Sequence, residues 1–439
     1  MKTKIRAGGI AAMAAAIALV AAGCGSGDTG SGASASGDKV EITWWHNGTG
    51  QPLLGFWNDI AKEFEAKNPG VTVNVQAFQN EELRNTVLPN AFAGGNAPDL
   101  FQSWGGGELV QWVNQGIVKD ISTIIPDTIS AVGGTAAGWQ VDGKTYGLPF
   151  TFGPAGFWVN KNLWTQAGLD VNSFPTTMEE LNSAWAKLKD AGITPVAVGG
   201  GDTWPAAHWW YHSAVKTVAP DALKAATASH DFSDPGFVKA GENLKSILDE
   251  HVFNQGWQAT SAQQGAASSA GMVVTGQAAM ELMGVWNAGV MGGIYNEAKN
   301  LDAATPPPDF LGWFPFPAID GGAGAKSILG GGDGFSVHKD APEEAAKLLE
   351  FILSKDVQTR YAAQQNIPVT PGAESALTFA PLKDAAHALQ SADYVQLWLD
   401  TAFGPEIAAA MNPAIVAFMG GQGTPQDVVN AITAASPKK

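Results

Sequence analysis

The chain has 439 residues and carries 41 acidic against 25 basic side chains, a formal net charge of −16. So acidic a protein is repelled by phosphate backbones and anionic headgroups, which excludes nucleic acid as a partner. The length is too great for one ordinary core and points to two domains, the 45% apolar content is globular, and nothing past the N-terminal region approaches the roughly 18 to 20 apolar residues of a spanning helix.

In chain order, Lys2, Lys4 and Arg6 precede an apolar run from Ile10 to Ala22 and then Gly23-Cys24. This is the pattern of a secretory signal over residues 1–23. Cys24 is the only cysteine and has no internal disulfide partner. The stretch Leu19-Val20-Ala21-Ala22-Gly23-Cys24 resembles the lipobox of bacterial lipoproteins, although Ala21 stands where that motif prefers leucine. The resemblance implies cleavage before Cys24 and attachment of diacylglycerol to its sulfur. The alternative is cleavage after Ala33-Ser34-Ala35, which would release a free protein. Residues 24–38 are nearly all Gly, Ser, Ala, Thr and Asp, too polar to order, and read as a flexible tether. Without the signal the balance is 22 basic against 41 acidic, or −19.

From Val40 to Trp45 apolar and polar residues alternate as in a strand. Phe56, Ile60 and Phe64 then recur at helical spacing, until Asn68-Pro69-Gly70 stops the helix. Val71, Val73 and Val75 alternate again, completing one β-α-β unit. A second helix is expected over Glu81 to Phe92, followed by a strand from Leu100 to Ser103. In the middle, Thr176-Thr177-Met178-Glu179 reads as a capping box for a helix through Lys189 that Gly192 ends, before a strand from Pro195 to Val198. Asp340 and Glu343 are expected to open a helix to Leu353. Two separate regions of α/β periodicity predict two lobes.

Five motifs lie along this frame: Gly95-Asn96-Ala97-Pro98-Asp99-Leu100, Asp142 through Pro149, Phe157 through Leu163, Gly276 through Met280 leading to Gly284-Val285-Trp286, and Gly331 through Val337. Together they resemble family 1 extracellular solute-binding proteins, the sugar-binding subunits of ABC importers. The resemblance implies an α/β, two-lobe periplasmic-binding-protein-like fold of class II with an interlobe cleft. It implies chain crossings near Leu148 to Phe152, Gly271 to Thr275 and Ile328 to Gly332. One lobe would comprise 39–148 plus 275–328, the other 149–274 plus 329–439. It also implies a monomer on the extracellular face of the cell membrane, held only by its lipid, partnered by a membrane permease, and binding without catalysis or cofactor.

A neutral sugar offers C–H faces and hydroxyl edges, so its site needs flat aromatic platforms beside convergent hydrogen-bonding groups. The chain has 16 tryptophans against 5 tyrosines. Trp45, His46 and Asn47 end the first strand, and alternation turns Trp45 to the ligand and Trp44 to the core. Gln79 and Glu81 follow the second strand. Gln102 and Trp104 precede three glycines that allow close backbone approach. Trp204 follows a glycine-rich turn, and Trp257 lies between helices. Trp286 also carries the family's placement of a ring against the sugar, and Gly332 and Asp333 bring a backbone amide and a carboxylate.

Two catalytic or metal readings are weaker. A glycoside hydrolase needs two carboxylates flanking one bond, which Glu81, Asp202 and Asp333 could supply, but no local pattern marks an acid and a nucleophile. His208 and His212 share a helical face, yet Trp209 stands where a zinc protease has its glutamate, and Ala325 breaks the phosphate-loop pattern of Gly322 to Ser327; no metal is expected. A cationic or peptide solute on the same fold is the rival ligand class. Arginine is scarce, with Arg6, Arg84 and Arg360 the full set, which disfavours anions. Among sugars, a flat tryptophan-rich cleft favours extended β-linked chains such as xylobiose or cellobiose.

Overall fold

The computed structural model describes residues 39–437. The signal, Cys24 and the tether lie outside the described residues.

Alternation in the sequence becomes register in the sheet. Strand β1 (Val40–His46) buries Ile42, Trp44 and His46 on one face and pairs in parallel with β2 (Val71–Ala77) and β3 (Leu100–Ser103). The helix Leu53–Lys67 returns the chain between β1 and β2 and buries Phe56, Ile60 and Phe64. The second helix is not continuous: helical turns at Asn80–Glu82 and Leu88–Gly94 flank a π-helical stretch, Leu83–Val87. Pro89 explains the widening, since it has no N–H for the carbonyl four residues back.

Apart from a short antiparallel hairpin of Gln140–Val141 with Lys144–Thr145, the remaining strands are β4 (Gly147–Asn160), β5 (Thr194–Ala197), β6 (Ala278–Gly284), β7 (Leu311–Pro315), β8 (Ser327–Val337) and β9 (Tyr394–Gln396). With the first three they form one nine-stranded sheet in the order β2-β1-β3-β8-β4-β6-β5, with β9 beside β8 and β7 beside β4. Two long antiparallel strands, β4 and β8, run through its centre.

These strands join two cores. In the first, Leu148 and Phe150 of β4 and Phe335 and Val337 of β8 pack with Ile42, Trp44 and Trp57. In the second, Ala155, Phe157 and Val159 of β4 and Leu329 of β8 pack with Trp185, Trp209 and Trp210. Both strands therefore pass from one core to the other, β4 between Phe150 and Ala155 and β8 between Leu329 and Phe335. The third crossing is elsewhere. Tyr361 packs in the first core, and Ala362 and Ile367 in a separate cluster with Trp158 of β4 and Met283 of β6; Thr151 Oγ1 donates to Ile367 O at 2.7 Å, tying this segment to β4. Gly271 to Thr275 instead belongs to a helix, Ser269–Val274, capped by Ser268 and buried in the second lobe.

The expected lobe boundaries are corrected in two places. Residues 278–284 form β6, which pairs with β4 and β5 inside the second lobe. The helix Glu343–Ile352 packs in the first lobe through Ala345, Leu348 and Leu349. Periodicity identified these elements, but strand pairing decides their lobe. Two caps also differ: Thr177 pairs reciprocally with Glu180, and the helix from Glu343 has Pro342 before it with no side-chain cap from Asp340.

Glu281 of β6 is a buried carboxyl in the second lobe. It accepts from Ser269 Oγ and, at 2.6 Å, from Asn287 Nδ2, and burial pushes its pKa up to about 8. Its folded value exceeds the unfolded one, so its contribution to stability is complete below the unfolded pKa and is lost as pH rises towards 8. The buried histidines act oppositely. Burial lowers His46 to about 4 and His208 and His212 to about 3, so their contribution is present above pH ~6.5 and lost as pH falls. Glu281→Gln is expected to flatten the decline in melting temperature between about pH 5 and 8. Parallel wild-type and variant curves from thermal melts would overturn that assignment.

A candidate interlobe binding cleft

A cleft of about 1660 Å³ lies between the two cores. From the first lobe it is lined by Asn47, Gln79, Asn80, Glu81, Arg84, Trp104 and Glu108. The crossing strands and the segment beside them supply Thr151, Asp333 and Tyr361. Asp202, Trp204, His208, Trp286, Trp398 and Asp400 line it from the second lobe.

Each wall follows from local structure. Asn47 and Gln79 to Glu81 lie just beyond the carboxyl ends of β1 and β2, where α/β sheets place their ligand sites. Asn47 Nδ2 donates to Asn80 Oδ1 at 3.0 Å and Asn80 Nδ2 to Glu81 Oε1 at 3.1 Å, a chain of amides that fixes the carboxylate. In the second lobe Thr203 has φ 61° and ψ −57°, a strained conformation for a β-branched residue that costs about 1–3 kcal/mol. It turns the Gly200–Asp202 segment into the helix Trp204–Thr217. Trp204 Nε1 then donates to Glu81 Oε1 at 2.8 Å, so the two walls touch directly.

Trp204, His208, Trp286 and Trp398 form an aromatic wall. Trp204 and Trp286 have centroids 6.0 Å apart, Trp286 meets Trp398 edge to face at 5.5 Å, and His208 stacks on Trp398 at 5.5 Å and 14°. Glycines seat these rings: a Cβ on Gly284 would lie 2.0 Å from Trp286, and one on Gly331 would lie 2.1 Å from Trp398 Nε1. Gly331→Ala is expected to force Trp398 from its seat, lowering stability by about 1–3 kcal/mol. Thermal melts and intrinsic fluorescence check this; wild-type values in both would count against the packing argument.

At the cleft floor the register of β8 against β4 shifts between Asp333 and Gly334, a bulge of the kind that re-aims side chains beside binding sites. Asp333 accepts from Gln102 Nε2 at 3.1 Å. Burial pushes its pKa up to about 6, opposed by the hydrogen bonds from Gln102 and Trp104 and by the charge of Arg84. Arg84 lies over the Trp104 ring at 5.0 Å. It spans the lobes, 3.3 Å from both Glu108 and Asp400, and donates to Thr401 Oγ1.

The structure brings together Asn47, Gln79, Glu81, Trp104, Trp204, Trp286 and Asp333. Five other candidates lie off the cleft wall. Trp45 packs edge to face on Phe78 within the first lobe. His46 is fully buried against Trp44 and Trp57, because its parity on β1 is the inward one. Gln102 is buried behind Asp333 as its hydrogen-bond partner. Trp257 is 8% exposed and packs in the second core on Phe253 and Gly200. Gly332 is covered by Thr151 O, 2.3 Å from the position of an added Cβ.

Sequence reasoning did not select Arg84, Tyr361 or Trp398, and treated His208 only as a metal decoy. The π-helical stretch around Arg84 had one visible signal, Pro89. Trp398 had none, because it reaches the cleft from distant sequence. The loop from Gly322 to Ser327 is clasped by Lys216, whose Nζ donates to Ala325 O at 3.1 Å and Ser327 O at 2.7 Å.

The family profile described as bacterial extracellular solute-binding protein matches residues 47–359. An uncharacterized ABC transporter extracellular-binding protein of Pyrococcus horikoshii is 25% identical over 364 residues, 79% of this chain and 75% of its own length. A solved chitin oligosaccharide binding protein superposes with a TM-score of 0.79 at 24% identity, covering 91% of this chain and 98% of the other. A structure described under xylan utilization by the thermophilic bacterium Caldanaerobius polysaccharolyticus gives 0.80 at 21% identity, covering 90% and 99%. The chain thus belongs to the bacterial extracellular solute-binding proteins and has their two-lobe α/β fold.

Proposed function

We propose that this protein is the extracellular substrate-binding subunit of an ABC transporter and captures a small oligosaccharide. The observation that carries the reading is the pairing of walls: the second lobe presents the rings of Trp204, Trp286 and Trp398, and the first presents Asn47, Gln79 and Glu81. Sugar C–H faces stack on the rings, while hydroxyls donate to the carboxylate and exchange hydrogen bonds with the amides. Relatives support the class, since one is named for an ABC transporter and solved neighbours for chitin oligosaccharide and xylan utilization. The flat rings lining the cleft favour extended β-linked chains.

Release and loading follow from closure. A ligand touching both walls favours the closed lobes by its differential affinity for them, and the permease reads that closed shape. Lipid attachment at Cys24 would keep the protein at the outer membrane face as a monomer, with residues 24–38 as its tether. The site binds its ligand without cofactor, metal or catalysis.

Titration of a broad panel of neutral mono- and oligosaccharides, followed by calorimetry and tryptophan fluorescence, tests the reading. Micromolar or tighter binding, about −8 kcal/mol or better, is expected for at least one β-linked oligosaccharide. Silence across the panel would overturn it.

A further inference from the structure

The charges lining the cleft do not balance. Its walls carry the carboxylates of Glu81, Glu108, Asp202, Glu297, Asp333 and Asp400 against one guanidinium, Arg84. Glu108 and Asp400 already hold that guanidinium. Even so, Glu108 keeps Oε2 buried without a hydrogen-bond partner, on a side chain only 7% exposed. Buried His208 on the opposite wall likewise keeps Nδ1 unpaired. Unpaired polar atoms at such depth are costly, and Glu108 Oε2 calls for a donor from the cleft.

The imbalance is sharpest where the lobes meet. Glu81 lines the cleft from the first lobe and Asp202 from the second; burial raises the pKa of Asp202, and the charge of Glu81 adds a smaller push in the same direction. Each carboxylate is served by neutral donors. Glu81 Oε1 takes the Trp204 indole and the Asn80 amide, and Asp202 Oδ2 takes the Ala262 N–H at 2.7 Å. Neither has a basic ion-pair partner among the described residues. Closing the lobes moves like charges into a medium of lower dielectric, where their repulsion grows. A neutral polyol supplies hydrogen bonds there but no compensating charge.

Resting on the sugar-binding reading above, we propose that the preferred ligand is an oligosaccharide bearing a protonated amine. Its ammonium would sit between Glu81 and Asp202 and its ring faces against Trp204 and Trp286. An ammonium has three donors, enough for both carboxylates.

Three β-1,4-linked trisaccharides of one backbone isolate the charge: cellotriose, chitotriose and fully deacetylated chitotriose, with hydroxyl, acetamide or ammonium at carbon 2. Calorimetry is done on the intact protein below the amine's pKa. The ammonium form is expected to bind at least about tenfold tighter than cellotriose, with the advantage shrinking as salt is raised. In Asp202→Asn, whose amide oxygen can still accept from Ala262 N–H, the ratio of the two affinities is expected to fall towards one. Equal or weaker binding of the ammonium form by the wild-type protein, or an undiminished ratio in the variant, overturns the proposal. If all three fail while another neutral saccharide from the panel binds, this inference alone falls; if the whole neutral panel is also silent, the sugar reading falls with it.

Discussion

Trp286→Ala is expected to weaken oligosaccharide binding by about 10- to 100-fold, or ~1.4–2.8 kcal/mol, the largest single-residue effect on affinity in this cleft. The ring is a platform itself and also the edge against which Trp398 and Trp204 are set, at 5.5 and 6.0 Å. Its loss therefore removes a stacking face and loosens two neighbours. Trp286 is partly exposed, so the folded protein is expected to persist, and melts read beside calorimetry separate the two effects. An unchanged dissociation constant in a folded variant would remove Trp286 from the site.

The largest effect on stability is expected at Arg84. Arg84→Met leaves Glu108 and Asp400 as charges without their partner, with side chains 7% and 9% exposed. Breaking a buried pair from one side typically costs about 3–5 kcal/mol, and denaturant unfolding measures it. Adding Glu108→Gln and Asp400→Asn to the same chain is expected to recover most of the loss, since no orphan charge remains. A triple variant as unstable as the single one would show that the guanidinium acts through packing against Trp104 instead. Because Asp400 lies beside Leu399 and Ala402 of the second core and Glu108 beside Leu109 of the first lobe's wall, this network also ties the lobes together.

Much of the frame was legible because it depends on neighbours in sequence. Alternation from Val40 to Trp45 and at Val71 to Val75 marked strands, and the four-residue recurrence of Phe56, Ile60 and Phe64 marked a helix. A chain crossing near Ile328 to Gly332 was implied by the family resemblance, and the structure shows what Gly331 and Gly332 admit there, Trp398 and Thr151 O close to the backbone. The same local logic succeeded for Trp44, which is fully buried. It misplaced His46, which shares Trp44's parity and therefore its core.

Several cleft residues were legible because they lie just after a strand. Asn47, Glu81 and Trp104 meet that condition and line the cleft. Trp257 follows no such rule: an aromatic ring between helices fills a core or a cleft according to what packs over it, and here Gly200 and Phe253 do. The third crossing was invisible for a related reason. Tyr361 to Ile367 contains no glycine or proline, and only its pairing beside Thr151 shows its role.

From its sequence alone this protein has an α/β class, two lobes, a strong acidic bias and a family, because local periodicity, composition and ordered motifs are properties of the chain read in one dimension. Tertiary structure alone decided which lobe owns β6 and the helix after β8, and which rings face the cleft. It also set Glu81 against Trp204 across 123 positions and Arg84 against Asp400 across 316. Such pairings depend on how two lobes built from interleaved segments approach each other, and side-chain spacing along the chain carries no information about that approach.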